Sequence, residues 1–273
     1  MKKPGLLIFY WFISMQLFSL DQNLQLDLYK QGNNLFQEAV DNQISNPKAA
    51  ESLYEDSLIR FLQLAEDVQN GKLYYNIGNI YYKLGDMGRA ILYYRKAELL
   101  IPGDRNLREN LISAREERVD ALSEKESVRI LETIFFIHYN LSASSRSVLF
   151  GMALGLTWIS AAFLLLKKKI NASLFRGFFT STIVFAILAL FFLGSVIIDT
   201  MELKYHPGGV ITADAIIARK GDGLSYSPSF EDPLHSGLEF TLINERPGWY
   251  YIELSDNTRT WIPDNAASLI LLD

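Results

Sequence analysis

The sequence contains no cysteine and only three histidines among its 273 residues. The absence of cysteine excludes disulfides, thiolate nucleophiles, iron–sulfur clusters and cysteine-ligated zinc sites. The histidines, His138, His206 and His235, lie far apart, have no H-x-x-x-H spacing and have no acidic residues arranged with them as a metal-binding set. We therefore expect no metal site.

An excess of positive charge is also lacking. The chain has 26 lysines and arginines against 31 aspartates and glutamates, which gives a formal net charge of −5. Proteins that bind nucleic acid neutralise phosphates with clustered lysine and arginine. Nucleic acid is therefore not expected as a partner.

Common catalytic motifs are absent as well. The chain has neither a G-x-x-x-x-G-K phosphate loop nor a G-x-S-x-G nucleophile elbow. Neighbouring acidic residues, such as Glu116 with Glu117 and Glu124 with Glu126, fit solvated helix faces and linkers better than an acid–base pair. We expect no catalytic residues and no cofactor, so the chain is not expected to be an enzyme.

The chain does contain three apolar runs, and the first lies at its N-terminus. Lys2 and Lys3 precede the apolar residues 6–20, an order typical of a secretory signal. The run is somewhat short for a membrane span. Residues 1–20 are therefore predicted to be a signal peptide or, if uncleaved, a signal anchor.

Residues 21–122 have helical spacing and contain one clear repeat of 34 residues, 71–104. Large, small and proline positions follow the tetratricopeptide pattern W-x2-L-G-x2-Y, A-x3-F, P. Each position has a packing role between two antiparallel helices, and the last ends the second helix. The matching residues are Tyr74, Ile77, Gly78, Tyr81, Ala90, Tyr94, Ala97 and Pro102.

A degraded copy of the repeat is predicted upstream. Gly32 with Leu35 marks its first helix, and Ala50, Tyr54 and Ser57 mark its second. The interval between the halves is too long, so residues 42–47 must extend the first helix or enlarge the loop.

A third helix is predicted downstream of the clear repeat, where Asp104 is a candidate N-cap. Its apolar side contains Leu107 and Leu111, and its polar side, with Arg115 and Arg118, is expected to be the solvated outer face that closes the stack.

Exposed positions of the repeat's first helix are the best candidates for binding a partner. These positions combine an amide that can bind peptide backbone, a lysine that can pair with a carboxylate, and rigid aromatic side chains. An ordinary solvated helix face remains the alternative. The candidate residues are Lys72, Tyr75, Asn79, Tyr82 and Lys83.

Residues 123–146 include a further apolar stretch, 128–141. A juxtamembrane amphipathic helix and a further buried helix of the repeat stack both explain it, because each requires one broad apolar face.

The other two long apolar runs predict transmembrane helices at 147–166 and 177–198, each long enough to cross the hydrocarbon core. The connecting loop, 167–176, contains Lys167, Lys168, Lys169 and Arg176, whereas the outer flanks are poor in positive charge. The loop is therefore predicted to be cytoplasmic, with both larger regions outside the cytoplasm. Gly151 and Gly155 form a G-x-x-x-G pair that suggests close packing between the two helices.

Residues 208–273 alternate with a period near two, which predicts a compact barrel of about five strands. This region resembles the bacterial SH3 family in its sequence of features: Gly237 before a strand, Gly248-Trp249-Tyr250, a turn at residues 255–257 and Thr260-Trp261-Ile262-Pro263. Tyr226, Trp249 and Trp261 are expected to form an aromatic surface, unless the tryptophans belong to the core of so small a barrel.

The complete order of segments resembles the E-type protein of the Bacteroides aerotolerance (Bat) operon: signal, tetratricopeptide repeats, two membrane helices and a terminal SH3-like domain. The repeats end in Asn110-Leu111 and Ala114-Arg115-Glu116-Glu117-Arg118-Val119-Asp120. The fold class is multidomain, α then β. The resemblance implies a periplasmic scaffold at the bacterial inner membrane beside von Willebrand A-domain Bat proteins, in a complex linked to oxidative or envelope stress. A peptidoglycan-binding targeting subunit of an envelope enzyme is the alternative.

Overall fold

The computed structural model describes residues 5–120, 136–165 and 171–272. It contains two compact units, Met1–Asp86 and Met87–Asp273, and the boundary lies between the two helices of the 34-residue repeat. The first unit is helical. The second combines helices with a C-terminal antiparallel sheet.

Three helices form the first unit: α1 (Gly5–Asn42), α2 (Pro47–Ala65) and α3 (Gly71–Lys83). Asn46 caps α2 by accepting a hydrogen bond from the Ala49 amide, and Asn70 caps α3 by accepting from the amides of Lys72 and Leu73. Helix α1 runs without a break past residue 20, so no change in secondary structure marks the predicted end of the signal segment. Residues 1–4 of that segment lie outside the described residues.

Helices α1 and α2 pack as the degraded upstream copy requires. Gly32 lies against the ring of Phe61, because a Cβ at position 32 would be 2.7 Å from Phe61 Cε1. The buried Ser57 hydroxyl donates a hydrogen bond of 2.8 Å to the Gly32 carbonyl, and the rings of Phe36 and Tyr54 meet at 5.6 Å. Most of the extra length lies in α1, which continues to Asn42 before a four-residue loop.

The second unit begins with α4 (Met87–Leu100), α5 (Arg105–Glu117) and the short α6 (Phe136–Asn140). Asp104 caps α5 by accepting from the Leu107 amide, as the sequence predicted. Residues 121–135, which include most of the predicted juxtamembrane segment, lie outside the described residues. The described remainder of that segment is not one helix, since α6 ends at Asn140 and a new helix begins at Ala143.

Two helices in the described part of the chain are long and apolar enough to cross a membrane: α7 (Ala143–Leu164) and α8 (Ala172–Tyr205). Helix α7 begins before the predicted first span but ends at Leu164, before the predicted end at 166. Helix α8 exceeds the predicted second span at both ends and includes the last five residues of the predicted cytoplasmic loop. The loop lysines lie among residues 166–170, outside the described residues. The two helices contact each other through a hydrogen bond between the Ser160 and Ser181 hydroxyls and through stacked rings of Phe163 and Phe178.

The expected role of Gly151 and Gly155 between these helices is wrong. Within the part of the chain that the structure describes, no atom lies within 4 Å of the place where a Cβ would stand on either glycine, and both residues are exposed. The buried small residues of α7 are Ala153 and Ser160, which lie on the opposite side of the helix. The pair was misassigned because spacing shows that two glycines share a face but not which neighbour that face meets.

The C-terminal sheet begins three residues after α8. Its strands are β1 (Gly208–Ile211), β2 (Ala215–Ile216), β3 (Leu234–His235), β4 (Glu239–Arg246), β5 (Trp249–Leu254), β6 (Arg259–Pro263) and β7 (Ala267–Leu269), with a 3-10 turn at Asp264–Ala266. We call residues 208–272 the β-module. A five-stranded antiparallel sheet has the order β6-β5-β4-β1-β7, and β2 pairs with β3. Buried Ile211, Phe240, Ile252 and Ile262 lie at the centre of the module's hydrophobic core.

The predicted closed barrel is not found among the described residues, where β6 and β7 remain the two ends of an open sheet. The outer edge of β6 is partly covered by Arg219, whose amide donates to the Trp261 carbonyl at 2.8 Å and whose carbonyl accepts from the Trp261 amide at 2.9 Å. These two hydrogen bonds pair backbone groups at the edge of β6 that a neighbouring strand would pair in a closed barrel.

Candidate functional site

The predicted partner-binding residues of the repeat occupy one side of α3, which we call the α3 face. At 100° per residue, Lys72, Tyr75, Asn79, Tyr82 and Lys83 fall within an arc of about 100°. The residues on the other side of α3 are buried and belong to the core: Leu73, Tyr74, Ile77, Gly78 and Ile80. The two lysines are exposed, and Tyr75, Asn79 and Tyr82 are half-buried.

The side chains of the α3 face are ordered by local contacts. The Lys72 ammonium lies 5.6 Å from the centre of the Tyr75 ring, a distance typical of a cation–π contact. Lys83 Nζ donates to Gln43 Oε1 at 3.4 Å, and the same oxygen accepts from the Tyr54 hydroxyl at 3.4 Å. The two lysines therefore place a positive charge at each end of the α3 face, and the aromatic and amide side chains lie between them.

Sequence reasoning missed Gln43, which connects the α1–α2 loop to the end of α3. The signal was the longer interval between the halves of the upstream copy, because Gln43 lies in the loop that follows the extended α1. The spacing indicated extra residues but did not show that one of them reaches Lys83.

The β-module has a second candidate surface on the outer side of β5 and β6. Side chains alternate along a strand, so Trp249 and Tyr251 face away from buried Ile252 and Leu254. Tyr251 is the register partner of Trp261 on β6, and their rings stack with centres 4.9 Å apart. We call Tyr226, Trp249, Tyr251, Trp261 and Arg246 together the aromatic face.

Arg246 connects the members of the aromatic face. Its guanidinium carbon lies 5.3 Å from the centre of the Trp261 ring, and its partner across the β4–β5 ladder is Trp249. Arg246 Nη1 also donates to Asp222 Oδ2 at 2.6 Å. This hydrogen bond lowers the pKa of the Asp222 carboxyl and raises that of Arg246.

Tyr226 joins the same surface through the loop that contains Asp222. Its ring packs on Gly221, where a Cβ would be 2.6 Å from ring atoms. Its carbonyl accepts a hydrogen bond from Arg219 Nη1 at 2.7 Å, and the side chain is 49% exposed. The structure therefore brings the three predicted aromatic residues into one neighbourhood.

Neither Trp249 nor Trp261 belongs to the buried core cluster of the β-module. Both are half-buried, which favours the surface interpretation over the core interpretation. Sequence reasoning missed Arg246 and Tyr251. Arg246 is the last residue of β4.

Comparison with known families assigns part of this architecture. The family model of the tetratricopeptide repeat matches residues 71–104, so the predicted repeat is confirmed with its boundaries. No match was found among curated proteins or among solved structures.

Proposed function

We propose that this chain is a non-catalytic scaffold, anchored by α7 and α8 in a bacterial inner membrane, with the repeat region and the β-module in the periplasm. The positive charge of residues 167–169 and Arg176 supports a cytoplasmic connection between the two helices. The order of segments, which resembles the E-type Bat protein, supports a role beside von Willebrand A-domain membrane proteins in an aerotolerance or envelope-stress complex.

The observation that supports this function best is the α3 face within the matched repeat. Tetratricopeptide repeats mediate protein–protein interactions, and the α3 face combines exposed lysines with aromatic side chains on a rigid helix. Its charge is complementary to a partner segment that bears carboxylates. Because one matched repeat gives a short contact, we expect an affinity of about 1 µM for the isolated contact, strengthened when both partners share a membrane.

Crosslinking in intact membranes, followed by purification of the full chain, tests the α3 face. We expect the combined variant Tyr75→Ala, Asn79→Ala and Lys83→Ala to lose about 90% or more of a partner that the unaltered chain recovers. The matched control is Lys30→Ala with Lys48→Ala, which removes exposed lysines from α1 and α2. Retention of every partner by the α3 variant would show that this face does not bind them.

Reporter fusions test the proposed orientation independently of any partner. A periplasm-dependent reporter fused after Asp273 should be active, and the same reporter inserted at Lys168 should be silent. The opposite pattern would place both modules in the cytoplasm and remove periplasmic partners from consideration.

The aromatic face favours a second candidate function, in which an SH3-like β-module attaches the chain to peptidoglycan and targets an envelope enzyme. The strand order, the long β1–β4 connection and the 3-10 turn before β7 support an SH3-like arrangement. Aromatic rings beside Arg246 provide stacking area and a donor for carboxylates.

Sedimentation with purified sacculi tests this second function. The full chain in detergent should pellet with sacculi without releasing muropeptides, and Trp261→Ala should weaken pelleting. Lys220→Ala, in the same loop region of the module, is the control. Release of muropeptides would instead indicate catalysis, and no pelleting by the unaltered chain would exclude attachment.

A further inference from the structure

The second unit contains an ion cluster that joins the helical end of the repeat region to the β-module. Glu239, the first residue of β4, lies among Arg95 of α4 and Arg115 and Arg118 at the end of α5. Arg115 donates twice to the carboxylate, from Nε at 2.7 Å and from Nη2 at 2.9 Å. Arg95 Nε lies 3.2 Å from Oε1, and Arg118 Nη1 lies 3.5 Å from Oε2.

The expected solvated outer face of the third helix is therefore wrong for Arg115 and Arg118, whose side chains are 23% and 10% exposed. Both arginines contact the Glu239 carboxylate of the β-module. A bidentate arginine–carboxylate pair fixes both the distance and the orientation of the two elements that carry it.

A second polar contact lies beside the cluster. The Asp120 carboxylate accepts a hydrogen bond from the His235 backbone amide at 2.6 Å and lies 3.1 Å from His235 Nδ1. His235 is in β3, so this contact joins the residues after α5 to a different strand from the one that carries Glu239. We call the following residues the docking contact: Arg95, Arg115, Arg118 and Asp120 on the helical side, and His235 and Glu239 on the β-module.

Close backbone packing surrounds the docking contact. Gly88 in α4 lies so close to the end of β1 that a Cβ at this position would be 2.8 Å from the Ile211 carbonyl oxygen. Gly237, just before β4, has a φ of +90°, and a Cβ there would lie 3.2 Å from Ile91 and 3.3 Å from Arg118. The two surfaces meet without a layer of long side chains at these points.

The β-module nevertheless has a hydrophobic core of its own. Every member of its buried cluster lies between Ile211 and Ala267, so none comes from α4 or α5. Loss of the docking contact consequently removes charged contacts and the packing of α4 against β1, but no residue of that core. Strand β1 also carries fully buried Val210, which lies outside that cluster. A body with a complete core can separate from a neighbour while remaining folded.

We propose that the docking contact is a latch, with Glu239 as its central residue, that holds the β-module against the end of the repeat region and opens by rigid-body separation. In the closed state, the β-module is attached twice: through the chain at the end of α8 and through α4 and α5. In the open state, only the attachment to α8 remains, and the arginine-rich surface of α4 and α5 becomes accessible. This inference goes beyond the proposed function and does not depend on the identity of a partner.

Hydrogen exchange of the full chain in lipid nanodiscs tests the latch, because the His235 amide donates to Asp120 only when the latch is closed. In Glu239→Gln we expect exchange at the His235 amide to rise about tenfold or more, as when one member of a largely desolvated charge pair is lost. The amides of Ser236 and Gly237 donate to the Asp214 and Ile211 carbonyls within the β-module and should keep their rates. Amides paired between β5 and β6 should keep their rates within about twofold, because opening leaves the sheet folded.

Two further variants make this test decisive. Arg115→Gln alters the helical side and should give the same selective increase. Glu253→Gln is the control within the sheet, since Glu253 pairs with Arg259 at 2.6 Å on the outer side of β5 and β6. It should leave exchange at the His235 amide unchanged. Equal acceleration in β5 and β6 would show that Glu239 merely stabilises the sheet, and no acceleration in either latch variant would refute the latch.

Discussion

Arg115 and Glu239 form a bidentate pair across 124 positions of sequence, with donor–acceptor distances of 2.7 and 2.9 Å. Neither residue lies in the matched repeat, and neither was a predicted site residue. The pair joins the helix that follows the repeat to the first residue of β4. This pair therefore holds the end of the repeat region and the β-module together in the closed state.

The pH dependence of docking should follow the Glu239 carboxyl. Burial alone would raise its pKa, but Arg95, Arg115 and Arg118 together hold the pKa below its ordinary value. Because the pKa of Glu239 is lowered in the folded protein, its ionised carboxylate contributes its full stabilisation at pH values above the ordinary glutamate pKa of about 4.3. This stabilisation of the folded state is lost as the pH falls through the lowered pKa.

Thermal unfolding of the full chain and of Glu239→Gln from pH 3 to pH 7 checks this dependence. Comparison of the two proteins isolates Glu239 from the neighbouring Asp120–His235 pair. At pH 7 the variant should be less stable by about 2 kcal/mol or more, and the difference should shrink below about pH 4.3. A difference that stays constant down to pH 3 would exclude ionisation of Glu239 as its source.

Gly88→Ala should destabilise the protein, although alanine in a helix is usually more favourable than glycine by about 1 kcal/mol. The reversal is expected because the new methyl group would lie 2.8 Å from the Ile211 carbonyl oxygen, which belongs to the backbone of β1. We expect a loss of about 1–3 kcal/mol in thermal unfolding, with faster exchange at the His235 amide. Gly151→Ala, in a helix with open space at that position, is the matched control and should be neutral or stabilising.

Gly32→Ala should weaken the α1–α2 pair. Its methyl group would lie 2.7 Å from the ring of Phe61, which is 1% exposed and has no room to move aside. We expect a loss of about 1–3 kcal/mol of stability, measured by chemical unfolding. Asn34→Ala, at an exposed position of the same helix, should cost nothing, and Phe61→Leu combined with Gly32→Ala should recover part of the loss. Absence of any such loss would mean that α1 and α2 separate more easily than this packing requires.

Asp199→Asn should destabilise the hairpin formed by α7 and α8. The Arg146 side chain is 4% exposed and pairs with Asp199. Its guanidinium also donates to the Leu141 carbonyl at 3.0 Å and to the Ser195 carbonyl at 3.2 Å, and it contacts His138 Nδ1 at 2.7 Å. Removing the counter-charge leaves a buried guanidinium without a carboxylate, which should cost about 2 kcal/mol or more.

Unfolding of the full chain in mixed micelles of increasing SDS content measures the effect of Asp199→Asn. Glu202→Gln, three residues further along α8 at an exposed position, is the control and should unfold like the unaltered chain. Equal sensitivity of the two variants to SDS would show that the Arg146–Asp199 pair does not hold the hairpin.

Features with a local period were predictable from the sequence. The repeat at 71–104 follows from residues that recur at fixed helical spacing, and the Asp104 cap from a carboxylate just before an apolar period. The two candidate membrane helices follow from uninterrupted apolar runs, although their ends were misplaced because polar residues extend both helices beyond the apolar core.

Features that depend on distant partners were not predictable. Arg115 resembles a solvated residue when only its own helix is considered, since nothing near it in sequence indicates Glu239. The direction of Gly151 and Gly155 depends on how α7 rotates against α8, which spacing does not determine. Alternation within strands predicted a sheet, but it contains no information on whether the end strands meet, so the closed barrel was wrong.

Helix α8 is a single helix of 34 residues, about 51 Å long at 1.5 Å per residue, whereas a bilayer's hydrocarbon core is about 30 Å thick. Only His206 and Pro207 separate its last residue from β1. An unbroken helix resists twisting about its axis, and a two-residue connection allows little independent rotation of β1. When the latch is open, rotation of α8 about its own axis within a bilayer would therefore turn the whole sheet and change the direction in which the aromatic face points.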